Sequence, residues 1–514
     1  MKYFARNKRG LVVAGISAAA LIATSLAPVG SATATATTTS AVTPPQLGGY
    51  SAGVTPFIAD VAINNVTMAT LKNVSFTVTP MSGSTTTPIS ATYEKAYFVN
   101  RPSLVSGSTI TVPVYGLYAS AVDNSNHVTV AVTTTSATTV LTAAISTTPW
   151  QDPCGGCYTT GLQYVHARNN AVHLGYSYFM LKSMFSGQVP VIVMDTDGQV
   201  RWVANDTSGG GGTPVSGFIG QSFYATHGAR LYRLNLDGSE SLVHDFSGYQ
   251  GINNFWHNID PGNTGMLLSA DGASSSIEST VLEVNTDGSV AKMVDVYQII
   301  SQAMTAGGDN PSDFVSQGGD WFHMNAETFW PARNEVVVSS REDFVIGINY
   351  ATQKIDWILG DPTKQWYQFK SLRHFALALA PGTLPPIGQH ALSITPTGQL
   401  LLFDDGYGSY NHYPSGNSRS YSIPQLFQIN FATRTAKQTW AYYNNPPIQS
   451  AICSSVYQEA GNTYLVDYAA ESSPDLIGLG ANNAVAFDYQ LPNTYINGAW
   501  NAYPVAINGL SFNS

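Results

Sequence analysis

Apolar and polar residues alternate in short runs along most of this chain. Val74-Ser75-Phe76-Thr77-Val78 and Val128-Thr129-Val130-Ala131-Val132 are two such runs. A period of two predicts strands with one buried face. Between about 51 and 146 these runs are rich in Thr, Val and Ser, with turn residues every 8–12 positions or so. That spacing predicts a small N-terminal β-sandwich over 51–148. From 149 onward the pattern changes to an apolar strand, a tight turn, and a second strand that often carries Trp. The copies are VIVMDTDGQVRWV (191–203), LYRLNLDGSESLV (231–243), VLEVNTDGSVAKMV (281–294), VIGINYATQKIDWIL (345–359), LFQINFATRTAKQTW (426–440) and a weaker AVAFDYQLPNTYING (484–498). Asp-Gly at three of the turns is a hairpin signal. Six copies predict an all-β, six-bladed β-propeller over 149–514. Each unit has about 60 residues, above the ~40–45 of compact propeller repeats, so the excess goes into long loops such as 301–322 and 365–388. A short helix is expected near 294–304. A large β-sandwich or a β-helix is the alternative.

The stretch 318–366 is the densest part of this pattern. Apolar runs at 335–340, 344–350 and 355–359 form a predicted meander, with Arg341-Glu342-Asp343 as the polar turn between the first two. His323 stands just before the first run, and Arg341 ends it.

The N-terminus reads differently. Lys2, Arg6, Lys8 and Arg9 precede an apolar stretch from Leu11 to about Val29, and small residues follow at 32–36. This predicts a secretory signal within 1–36, cut after Ala34 or Ala36; an N-terminal anchor is the alternative. No other run approaches the ~20 apolar residues of a membrane helix. A Thr/Ser/Pro-rich linker is expected over 37–50. The expected destination is the bacterial periplasm or the medium, with no stable membrane insertion.

Composition then narrows the partners. The formal net charge is −10 and only 11% of residues are charged, against roughly 25% in ordinary soluble proteins. A Lys-poor acidic chain is a poor match for nucleic acid. The three cysteines are Cys154, Cys157 and Cys453. Export permits a disulfide, expected between Cys154 and Cys157, with Cys453 as the alternative partner of either.

Three of the ten histidines, His257, His323 and His390, stand before strands in three different repeat units. A propeller collects such positions at one mouth of its channel, so a shared site is expected. Each alone would read as a hydrogen-bonded structural histidine. Three His with an open position would suit zinc. Arg341 nearby argues instead for an oxyanion, because its planar fork matches tetrahedral oxygens. No metal and no cofactor are expected.

DWFHMN (320–325), VVVSSR (336–341) and KIDWILG (354–360), together with the blocks around His257 and His390, resemble the bacterial arylsulfate sulfotransferases that use no nucleotide donor. The resemblance covers most of the chain from about Tyr164. It departs at Asp405, where the family often has Asn in FDNG, and at Met324, where a small polar residue is more usual. The resemblance implies that His390 is transiently sulfurylated, that Arg341 binds the sulfuryl group, and that His257 and His323 stabilise charge or handle the phenolic proton. It also implies that Asn325 is a polar neighbour that binds substrate. The implied reaction is ping-pong transfer from an aryl sulfate donor to a phenolic acceptor; a homodimer is compatible with it. Two alternatives stay open: an exported sulfatase or phosphatase, and a non-catalytic binding propeller. The Gly run 209–212 lacks the Lys of a phosphate-cradling loop, which argues against a nucleotide donor.

Overall fold

The computed structural model describes residues 43–119, 126–185, 189–205, 215–272 and 276–513. The expected signal over 1–36 lies outside them. The described chain is nearly all β, with three α-helices, at Lys95–Val99, Val296–Gly307 and Lys370–Arg373. The second matches the helix expected near 294–304. Its N-cap is Asp295, which accepts from the Gln298 N–H, and Gly308 ends it at φ 85°.

Two antiparallel sheets occupy the N-terminal part. One holds Gln46–Ala52, Ile58–Asn64, Thr109–Tyr115 and Val105–Ser106. The other holds Ile89–Glu94, Leu71–Val78, Asn126–Thr134 and Thr138–Ile145. Alternate residues of both turn inward to one core, among them Val61, Ile63, Val74, Phe76, Ile110, Val112, Val128 and Val130. The first strand begins inside the stretch expected to be linker. Its residues are exposed throughout, so it gave no apolar alternation to read. The chain's last strand, Leu510–Phe512, joins the second sheet parallel to Ile89–Glu94.

Among the described residues, the rest of the chain forms five sheets built from six antiparallel meanders, two of which join in one eight-stranded sheet through a parallel pairing of Val215–Ile219 with Phe255–Pro261. Five of the six repeats read as two-stranded hairpins are each half of a four-stranded run. The unread strands lack turn signals between apolar runs: Met324–Trp330 pairs with Glu335–Ser340 and extends the 318–366 meander to four. The copy read at 484–498 is out of frame. Val485–Gln490 pairs backwards with Asp475–Leu479, and Tyr495–Asn497 is a 3-10 turn. The first meander is completed by chain from the far end, since Asn501–Pro504 pairs with Tyr178–Lys182. The leading strands Phe255–Pro261, Met324–Trp330, His390–Ile394 and Ser455–Glu459 come from successive meanders and touch in that order. Apolar clusters fill the spaces between sheets, such as Trp357, Val345, Leu400 and Phe427.

Candidate active site

The leading strands carry the histidines at irregular points. His257 lies within Phe255–Pro261, where pairing with the next strand breaks between Trp256 and Ile259. The break beside His323 falls between Met324 and Ala326, and that at His390 between His390 and Ser393. His257, His323 and Ala391 have φ of 56°, 48° and 51°. Bulges with left-handed residues re-aim side chains, and non-glycine residues accept this strain mostly at functional sites. His257 precedes the strand at Met266 as expected, and it also lies inside an unread strand, Phe255–Pro261, whose bulge interrupts the alternation that marks a strand in sequence.

The re-aimed rings converge. The His257 centroid is 5.3 Å from His323 and 6.3 Å from His390. Arg341 joins them through its own strand end: its N–H donates to the His323 carbonyl at 3.0 Å. The Arg341-Glu342-Asp343 stretch, the polar turn of the expected meander, is fully buried. Arg341 Nη1 meets Glu342 Oε1 at 3.0 Å. Its Nε and Nη2 are buried without a partner. Two unused guanidinium donors beside three imidazoles form a ready cradle for an oxyanion.

The imidazoles differ in charge. Burial lowers the His390 pKa well below its ordinary value, and the charges of His257, Arg341 and His323 push the same way. His390 is therefore neutral. Its Nδ1 lies 3.1 Å from the Gly388 carbonyl and 2.6 Å from Asp405 Oδ2. The Cys453 N–H donates to its Nε2 at 3.3 Å. This network assigns the proton to Nδ1 and the lone pair to Nε2. The His390–Asp405 contact has the distance of an ion pair, yet both groups are shifted toward neutrality. Burial raises the Asp405 pKa well above the carboxylate range, and Arg341 offsets only part of that. We take the contact as one between uncharged groups, since desolvation dominates at full burial.

His323 is the opposite case. Burial pulls its pKa down, but the hydrogen bond to Asp320 and the charges of Glu278 and Asp320 outweigh it, so the net shift is upward. Its Nδ1 sits 2.6 Å from Asp320 Oδ2 and 3.2 Å from Glu278 Oε2. Glu278 also reaches His257 Nε2 at 3.4 Å. Burial pushes Glu278 up, but His257 and His323 overcome this and hold its carboxyl below its usual value. One ligating atom each from His257, Glu278 and His323 lies within 4.8 Å of the others, a geometry that metals also use. The second carboxylate on His323, Asp320, favours a proton there instead, against the opposing charge of Arg341.

Beneath the rings runs a buried hydrogen-bond chain. Lys182 Nζ donates to Asn258 Oδ1 at 2.6 Å, and Asn258 Nδ2 to the Asn325 carbonyl at 3.3 Å. Asn325 Nδ2 donates to the Gln389 carbonyl at 2.8 Å, and Gln389 Nε2 to the Ser340 carbonyl at 2.6 Å. Asn325 thus spends its amide on the residue before His390, while its Oδ1 has no partner. Met324, the other departure from the family pattern, points into an apolar cluster with Phe322 and Val338.

The sequence reading had named His257, His323, His390, Arg341 and Asn325. The structure brings the three imidazoles together, sets Arg341 beside them and puts Asn325 underneath. It adds Glu278, Asp320 and Lys182. Asp320, three residues from His323, was visible as a neighbour; Glu278 and Lys182 had no signal, because Glu278 sits in the loop before Thr280–Val284 of the His257 meander and Lys182 comes from the first meander. Cys154 and Cys157 form a disulfide, and Cys453 is free.

Residues 166–491 match the family model described as Arylsulfotransferase (ASST). The chain is also similar to "Arylsulfate sulfotransferase AssT" of Escherichia coli O6:H1 (strain CFT073), 27% identical over 143 residues. That match spans 25% of this chain and 24% of the relative, so the chain covers about a quarter of that protein's length. A crystal structure of a protein of unknown function from Bacteroides thetaiotaomicron aligns over 87% of this chain and 98% of its own, at 9% identity and a TM-score of 0.32; a likeness that distant carries no argument. The family model spans more than half of the sequence and includes His257, His323, His390 and Arg341, and the chain belongs to the arylsulfotransferase family.

Proposed function

We propose that this protein is an arylsulfate sulfotransferase that works by a ping-pong mechanism through a sulfohistidine at His390. The observation that carries this reading is the pairing of a neutral His390, its lone pair on Nε2, with the unused donors of Arg341. The Nε2 lone pair attacks sulfur as the bond from sulfur to the aryl oxygen breaks. The departing oxygen takes the His323 proton. Arg341 Nε and Nη2 hold the sulfuryl oxygens, whose charge rises in a loose transition state. In the second half, an acceptor phenol gives its proton to His323 and attacks sulfur, and the bond from sulfur to Nε2 breaks. Phenols have a pKa near 10, so protonation by an imidazolium assists departure without being forced to do all the work. Of the two histidines proposed for the proton, His323 is favoured by its two carboxylates. His257, which shares Glu278, holds that carboxylate in place. Asn325 positions His390 through its hydrogen bond to the Gln389 carbonyl and keeps an unpartnered Oδ1.

The six meanders fit the blades of a propeller over 149–514, behind an N-terminal sandwich over 51–148. The leading strands would line the channel and the bulges its mouth. Export is supported by the Cys154–Cys157 disulfide. Among the described residues no helix is long and apolar enough to cross a membrane.

The direct test is incubation with p-nitrophenyl sulfate, with and without phenol. We expect steady nitrophenol release only when phenol is present; steady release without it would make the protein a hydrolase. Without acceptor, an alkaline quench and digestion should leave one SO3 on the peptide containing His390, and phenol should remove it. Arg341→Lys loses the fork and should lower turnover by at least ~10²-fold, the scale for one oxyanion donor; wild-type rates in this variant would take Arg341 out of the site.

Asp320→Asn removes the largest upward influence on His323. Its pKa should fall, and the alkaline limb of the pH–rate profile should move to lower pH. The same sign applies to stability: the raised His323 contributes most below its unfolded value of about 6.5 and loses that contribution as pH rises through its folded value. Asp405→Asn tests the uncharged contact. A protonated Asp405 already acts as an amide would, so the variant should keep most of its activity. Because the raised carboxyl penalises folding as pH climbs from its unfolded toward its folded pKa, the variant should also melt higher than wild type at neutral pH. Loss of activity in a folded Asp405→Asn protein would show that its ionised form is needed.

A further inference from the structure

The buried Arg341-Glu342-Asp343 turn fastens a strap across the site. Glu342 Oε2 accepts from the Ser409 hydroxyl, from the Tyr410 N–H at 2.7 Å and from the Asn411 N–H at 2.8 Å. Lys364 Nζ donates to the Glu342 carbonyl at 2.6 Å. His412 Nδ1 lies 2.5 Å from Asp343 Oδ2. Asn411 Nδ2 donates to the carbonyl of Asp320, the residue that holds His323, at 2.6 Å. One carboxylate thus does two things: Glu342 Oε1 fixes the plane of Arg341, and Oε2 fixes the backbone that presents Tyr410.

The Tyr410 ring lies over the Arg341 guanidinium, with Cζ 3.9 Å from the ring centroid. Despite these anchors the side chain is 62% exposed. Tyr407 stands 5.6 Å away from it. The exposed Tyr410 ring therefore covers one face of the buried Arg341 guanidinium and keeps its other face free of it. Large apolar rings left exposed and yet held rigid have already lost the entropy that a ligand would otherwise have to remove.

We propose that Tyr410, seated on Arg341 by Glu342, is the wall on which the aryl rings of donor and acceptor stack. This deepens the sulfuryl-transfer reading and rests on it. A sulfuryl group held by Arg341 Nε and Nη2 leaves its ester substituent pointing to the mouth, where a flat ring meets Tyr410 face to face or edge to face. An alkyl substituent would gain little there. Such ring contacts are worth about 3- to 10-fold in affinity beyond the area they bury.

Sulfonates test this, because they cannot transfer their group. The intact protein is titrated calorimetrically with naphthalene-2-sulfonate and with methanesulfonate. Wild type should prefer the aryl ligand. Tyr410→Ala should weaken the aryl sulfonate by about 3- to 10-fold and leave methanesulfonate unchanged, and Tyr410→Phe should restore the preference. In turnover with p-nitrophenyl sulfate, Tyr410→Ala should raise KM more than it lowers kcat. Equal weakening of both sulfonates would mean that Tyr410 only braces Arg341, and would overturn the proposal. So would an unchanged aryl affinity, or a wild type that binds neither ligand. Failure of the transfer reading looks different: a wild type that binds aryl sulfonates through Tyr410 but moves no sulfuryl group would sink that reading and leave the aryl wall standing.

Discussion

The site depends on a run of buried amides and one ammonium that cross from sheet to sheet. Lys182, Asn258, Asn325 and Gln389 are each hydrogen-bonded to the next, and the last reaches the Ser340 carbonyl. Each link adjoins a residue above it. Asn258 follows His257, Asn325 is two past His323, Gln389 precedes His390 and Ser340 precedes Arg341. A typical hydrogen bond adds only about 1 kcal/mol net, but a buried partner left alone costs about 1–3 kcal/mol. Slipping one sheet against its neighbour would strand several such groups together, so the sheets hold a common register. The left-handed residues at the bulges, about 1–3 kcal/mol of strain each, persist because this network over-determines them.

Lys182 anchors one end of the run and is itself constrained. Burial lowers its pKa, while the charges of Asp260 and Glu327 raise it. Glu327 is buried with neither carboxylate oxygen partnered, and its pKa is raised well above normal by burial and by Asp260. The cluster thus holds one ammonium against two carboxyls that do not both ionise. That keeps the space below the histidines close to neutral. Charge is concentrated instead at the mouth, where Glu278 and Asp320 face His323 and Arg341 faces His390.

The separation of roles between His323 and His390 follows from which neighbours burial leaves ionised. Glu278, held below its usual value by His257 and His323, and the hydrogen bond to Asp320 support a proton on His323. A single fully buried carboxyl beside His390 does not, so His390 stays neutral although Asp405 touches it. The same uncharged state gives a physical reason why Asp can stand at 405 where related sequences often carry Asn.

Much of this was legible in one dimension. Period-two runs marked the N-terminal strands, and Asp-Gly turns marked the outer hairpins of several meanders, because those signals are local. His257, His323 and His390 stood out because each occupies a similar point in a repeated unit, and Arg341 because it ends the run that follows His323. The frame of the units was not legible: the leading strands are broken by bulges, and the first meander is closed by Asn501–Pro504, more than 300 residues from Tyr178–Lys182. Nor was the burial of Arg341-Glu342-Asp343, since three charged residues between strands look like a solvated turn until a strap from 407–412 is laid over them. The sequence by itself marked the N-terminal strands, most of the outer hairpins and the side chains expected to carry the chemistry. Only the tertiary structure decided their charge states, their tautomers and their carboxylate partners, because desolvation and contacts between distant sheets set those quantities, and neither is a property of neighbouring residues.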